Sequence, residues 1–166
     1  FREILCAIGP GPKIGFAWQS LNKSWRKRPF STTLRDWRTV LKKERLTFIN
    51  LQPDISAEEI TADTQQLGVT IHVIPHLDLK NDMESVAALI SALDGVVAVN
   101  STVINLAGAL GTPAFCASSV PSPWVLERSY DPFAKHTKFF HRSYGEEWGP
   151  TIAALEENVL NSITRP

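Results

Sequence analysis

Cysteine is nearly absent from this 166-residue chain: only Cys6 and Cys116 occur, far apart and without metal-ligand spacing. A disulfide framework is therefore excluded, and a reducing, cytoplasmic setting is expected. Cys116 falls in a predicted buried strand, where cysteine behaves as a small hydrophobe. No apolar run approaches the roughly 20 residues that span a bilayer. There is no Gly-x-Ser-x-Gly elbow, no P-loop and no Cys/His dyad pattern. The Gly-x-Gly at 9–11 precedes the first predicted strand and so is not a dinucleotide fingerprint. His72, His76, His136 and His141 are scattered, and no metal site is expected. Internal repeats and low-complexity runs are also missing. The sole methionine is Met83 and the first residue is Phe1, so the chain is expected to start inside a longer product or to have been trimmed. Residues 1–12 lack the order of a signal peptide and read as a linker closed by Gly9-Pro10-Gly11-Pro12, with one domain over 13–166.

What is present is an uneven charge distribution inside a zero net charge. Residues 1–45 hold 11 Lys/Arg against 3 Asp/Glu, +8, and residues 46–166 hold 6 against 14, −8. A basic first third suits an anion, whether a nucleotide diphosphate, a nucleic acid or a partner's acidic surface. Solvated helix faces account for part of that excess. At 43% apolar and 20% charged, the chain is of globular type.

Strands are predicted at Lys13–Trp18, Arg45–Leu51, Val69–Ile74, Gly95–Val99, Ala114–Ala117 and Thr137–His141, from β-branched and apolar runs bounded by turn residues. Helices alternate with them. Ser31-Thr32-Thr33 caps one running to about Lys43, with Leu34, Trp37, Val40 and Leu41 as its apolar stripe. Ser56 with Glu59 forms a capping box for a helix ending at Gly68. Asn81 or Asp82 caps another through Leu93. The cap-type cluster Asn100-Ser101-Thr102 opens a helix over 103–110 that lacks charge and is expected to be buried nearly all round, stopped by Gly111 and Pro113. A short helix is expected at Pro123–Arg128, and Pro150 starts the last one. This alternation implies an α/β fold: a doubly wound, mostly parallel, Rossmann-like sheet of about six strands with helices on both faces. In such a sheet the ligand lies at the carboxyl ends of the strands, where strand order reverses. The loops 19–30 and 100–102 are the most polar ones that follow strands.

Each candidate has a plain structural use beside a functional one. Asn100, Ser101 and Thr102 cap a helix, with Asn105 one turn on; with the helix N–H groups they also suit a diphosphate. Lys23, Arg26, Lys27 and Arg28 make a solvated loop or a phosphate-binding one. Trp18 and Trp25 pack, or stack on a base. His76 lies on a loop that can face a ligand. From the residues alone this is an anion- or nucleotide-binding domain with no reaction assigned.

Residues 88–113, from Ala-Leu-Ile-Ser-Ala-Leu-Asp-Gly through Asn-Ser-Thr-Val-Ile-Asn to Gly-Thr-Pro, resemble a signature of the glycosyltransferase family 9-like domain found after tetratricopeptide repeats in bacterial proteins. The resemblance extends to Ile14–Ser20, Ser31–Trp37 and Tyr130-Asp131-Pro132-Phe133, and covers roughly 13–163. It implies the C-terminal half of a GT-B glycosyltransferase, the half that binds a nucleotide sugar, with the acceptor and usual base supplied by an N-terminal half. The family's Asp-Thr-x-x-x-His turn falls on Asn100, Ser101 and Asn105: the hydroxyl is kept, and the acid and the imidazole become amides. The expected donor contacts are Asn100, Ser101 and Asn105 from the resemblance and Ser20, Asn22, Lys23, Arg28, His76 and Thr102 from their place after strands, with no catalytic residue assigned, no metal and no cofactor beyond the donor itself. The expected partners are a nucleotide-diphosphate sugar and, through the missing half, a glycan, lipid or protein acceptor; nucleic acid is not expected. The isolated chain is expected to be inactive. The competing reading is a degenerate, non-catalytic GT-B half serving as an interaction or scaffold module.

Overall fold

The computed structural model describes residues 1–20, 31–119, 130–131, 134–143 and 145–163, with 130–131 described for the backbone alone. The expected helix at Pro123–Arg128 lies outside the described residues, as does Trp25. The strands are β1 (Lys13–Ala17), β2 (Thr47–Asn50), β3 (Gly95–Val99), β4 (Ala114–Ser118), β5 (Tyr130–Asp131) and β6 (Ala134–His141). They form one sheet in the order β2-β1-β3-β4-β6-β5, parallel throughout except for the two-residue β5, which is antiparallel to β6. All residues of β1, β3 and β4 are buried, as parallel strands covered on both faces must be.

Helices cover the two faces. On one, Ile14, Phe16, Phe48, Val97 and Phe115 of the sheet pack with Leu34, Trp37 and Val40 and with the last helix, α6 (Trp148–Ile163), through Ile152, Leu155 and Val159. On the other, Ile49, Val96, Ala98 and Cys116 pack with α4 (Met83–Ser91) through Val86, Leu89 and Ile90 and with α5 (Thr102–Leu110) through Ile104 and Ala107. Gly108 is where α5 comes closest to the sheet. A Cβ there would lie 2.6 Å from Ala134 Cβ and 2.7 Å from Thr137 Oγ1.

Several expectations need correction. The six strands number as expected but differ in membership. Segment 69–74 makes a single bridge, with Asn50 N–H donating to the His72 carbonyl and His72 N–H to that of Phe48, both at 2.8 Å. On one side Val69 N–H is taken by Thr64 at the end of α3 (Ala57–Leu67); on the other Pro75 has no N–H and His76 turns away at φ 60°. The linker expected over 1–12 carries a helix, α1 (Arg2–Ile8), because Leu5 finds a buried place against the α4 side of the core. The helix expected from Ser31 begins as a 3-10 turn, Leu34–Trp37, and is α-helical only over α2, Arg38–Leu41. Helix α6 starts at Trp148, not Pro150, so the proline sits inside the first turn, where a missing N–H costs no bond. Finally, α5 is buried along one stripe only: Asn105, Ala109 and Leu110 are exposed, because the helix lies in the outer layer.

Candidate functional site

From β1 the chain moves to β2 on one side and then returns to β3 on the other, so strand order reverses between β1 and β3. Ala17 pairs with Ala98, and the segments leaving the two strands emerge side by side at the carboxyl edge. There they bound a crevice of about 90 Å³ lined by Ala17, Gln19, Ser20, Pro53, Ser101, Thr102 and Val103. Pro53 also borders a larger pocket of about 420 Å³ at the end of β2, whose polar walls include Asn50, Gln52, Asp54, Asp78 and Lys80.

Helices α3, α4 and α5 are finished differently at their N-termini. At α3, Ser56 Oγ accepts from Glu59 N–H at 3.1 Å while the Glu59 carboxylate accepts from Ser56 N–H at 2.9 Å, a complete capping box. At α4, the Asp82 carboxylate accepts from Ser85 N–H at 3.0 Å, and hydrogen bonding from the Ser85 side chain, then from its backbone N–H, holds the Asp82 pKa below the usual value. At α5 the cap position is Ser101, whose side chain makes no capping bond. Its hydroxyl oxygen is buried and has no hydrogen-bond partner among the described residues. Helix α5 therefore presents uncapped N–H groups and the positive end of its dipole beside an unused hydroxyl. Among the described residues, none that lines the crevice is charged.

Of the residues expected from the sequence, Ser20, Ser101 and Thr102 come together in this crevice. Asn100 is exposed next to it, with its N–H donating to Ala117 O at 3.3 Å, and Asn105 is exposed one turn along α5. His76 is exposed and lines neither pocket. Asn22, Lys23 and Arg28 lie outside the described residues. Two buried residues, Gln52 just beyond β2 and Thr32 of the Ser31-Thr32-Thr33 cap, hold the wall of the crevice. For Gln52, a polar side chain next to Pro53 was the one available signal.

Elsewhere the chemistry is quiet. Burial pushes the Cys116 thiol far up, so it stays protonated, and lowers the His141 imidazole at the end of β6. No group of His, Cys, Asp and Glu able to hold a metal exists among the described residues. Among those residues, no helix is long and apolar enough to cross a membrane.

A solved glycosyltransferase family 9 protein from Veillonella parvula superposes on 97% of this chain with a TM-score of 0.63, at 15% identity and over 48% of its own length. The fold is that of about half of a glycosyltransferase family 9 protein. By sequence the chain is 38% identical over 149 residues to Protein FlbA of Caulobacter vibrioides, a match to 89% of this chain and 25% of that protein. It thus spans about a quarter of the length of that curated relative. No protein-family model matches the sequence. What the chain shares with the solved structure is the fold.

Proposed function

We propose that this chain is the nucleotide-sugar donor-binding domain of a glycosyltransferase whose acceptor-binding part lies elsewhere in a longer protein. The observation that carries the reading is the open N-terminus of α5 with the buried, unpartnered Ser101 hydroxyl, facing Ser20 across the strand-order reversal. Donors of that kind favour a phosphate. The crevice, at about 90 Å³, suits a phosphate group; the neighbouring 420 Å³ pocket falls within the roughly 300–1,000 Å³ of small-molecule sites and would take the nucleoside. N–H donors and the helix dipole would stabilise the departing nucleotide diphosphate without a metal. Lys23 and Arg28 would add charge from the basic loop, and Thr102, Asn100 and Asn105 would contribute neutral donors. Tetratricopeptide repeats upstream, a glycan, lipid or protein acceptor, and a cytoplasmic location belong to the same proposal.

A second reading has one observation in its favour. Where the family turn has an acid and a histidine, Asn100 and Asn105 are neutral and exposed, which fits a half that binds without turning over. Calorimetry with UDP, GDP, ADP and CMP donors tests the first reading. Heat of binding for at least one at millimolar concentration is expected, and silence from all four would overturn it. In the full-length protein, Asn100→Asp with Asn105→His separates the two readings. An active wild type little changed by the pair excludes the degenerate module.

A further inference from the structure

The peptide group joining Trp18 to Gln19 is held from both sides by buried side chains of two other segments. Its carbonyl accepts from the Thr32 hydroxyl, and its N–H donates to Gln52 Oε1 at 3.0 Å. Thr32 is 3% exposed and Gln52 1%. Each is itself tied down. Trp37 Nε1–H donates to Thr32 Oγ1 at 2.8 Å, and Gln52 Nε2–H donates to Pro53 O at 3.3 Å. The Asn50 side chain closes the turn beneath, accepting from Gln52 N–H at 3.0 Å and donating to Gln52 O at 3.2 Å. The next two residues after this peptide, Gln19 and Ser20, form the wall of the crevice opposite Ser101 and Thr102.

We propose that Thr32 and Gln52 are positioning residues that lock the Trp18–Gln19 peptide plane and so set the Gln19–Ser20 wall at phosphate-binding distance from the start of α5. The reason is geometric. A strand end has two free backbone torsions per residue, and beyond Ala17 no ladder bond orients the chain. Fixing both polar atoms of one peptide removes that freedom just ahead of Ser20. Buried side chains do this without exposing a charge to compete with an anion. The inference rests on the donor-binding reading above.

The test uses Thr32→Val, which keeps shape and removes the hydroxyl, Thr32→Ser, which keeps it, and Gln52→Met, which removes the acceptor. Ile60→Val, a core change on α3, serves as the control for lowered stability. Calorimetry measures UDP, GDP, ADP and CMP, each against its own nucleoside. Thr32→Val and Gln52→Met are expected to weaken the bound nucleotide about tenfold and speed amide exchange at Gln19, and Thr32→Val, at a residue that lines neither pocket, is expected to leave the nucleoside unchanged. Thr32→Ser and Ile60→Val are expected to match the wild type in both affinities. Wild-type nucleotide affinity in folded Thr32→Val and Gln52→Met overturns the proposal, as does an equal loss for nucleotide and nucleoside in Thr32→Val. A wild type that binds none of the four overturns the donor-binding reading itself, a result distinct from either.

Discussion

The N-terminus of α3 is closed and that of α5 is open, although each is capped by a serine. Ser56 Oγ and the Glu59 carboxylate satisfy two of the free N–H groups of α3 from within. Ser101 caps α5 in position only, and its hydroxyl is buried with no partner among the described residues. A buried hydroxyl without a bond costs about 1–3 kcal/mol, so a cap that could have bonded and does not is a costly arrangement for stability alone. The difference teaches that residue type at a cap position does not say whether the cap is used. Ser56 has an acid three positions on, whereas Ser101 has Ile104 there.

The most disruptive way to break the comparison is to dislodge α5 itself. Gly108→Val would drive side-chain atoms into Ala134 and Thr137, where even a Cβ comes within 2.7 Å. A loss of about 3 kcal/mol in urea unfolding is expected, with binding at the α5 crevice lost as well. Next is the direct exchange between the two serines. Ser56→Ala should cost about 1 kcal/mol and leave nucleotide affinity intact, while Ser101→Ala should leave stability unchanged or slightly raised and weaken the nucleotide about tenfold. Equal stability losses in both would remove the distinction.

Smaller effects sharpen it. The hydrogen bonds from the Ser85 side chain and backbone N–H that depress Asp82's pKa stabilise the fold fully above the ordinary aspartate value, and that contribution is lost as pH falls through the depressed one. The stability difference between wild type and Asp82→Asn should therefore be constant near neutrality and vanish in acid, as thermal melts along a pH series would show. Ser101→Ala should show no such pH dependence. Smallest of all is Lys80→Ala. The Lys80–Asp54 pair, at 2.9 Å, is about half exposed on both sides, so its loss should change stability by less than about 1 kcal/mol. Any effect should appear in nucleoside affinity, since Lys80 and Asp54 both line the larger pocket.

Much of this molecule was legible as local pattern. The valine run of β3, the capping box of α3 and the glycine stop of α5, with Gly111 at φ 77°, stand where short-range chemistry puts them. Segment 69–74 was misread because its apolar residues fit a strand and its ends do not, and pairing depends on both. In the 1–12 segment, residues 2–8 form a helix because Leu5 docks in the core, while the Gly-Pro stretch at 9–12 stays outside it. In the candidate site, Ser20, Ser101 and Thr102 could be named in advance, since they follow strands flanking a reversal. Thr32 and Gln52 could not: their role depends on a peptide 14 and 33 residues away in sequence.

By itself, then, the sequence determined most of the strands and helices, that the sheet is mostly parallel and covered on both faces, and where along the chain polar turns follow strands. These depend on side-chain periodicity, caps and turn residues within a few positions of one another. Only the tertiary structure decided that β1 and β3 are neighbours, that the Ser101 hydroxyl stays buried and unpartnered, and that two distant polar side chains grip one peptide. Those are outcomes of which groups meet after crossovers of tens of residues, and they are set by packing across the sheet rather than by any local preference.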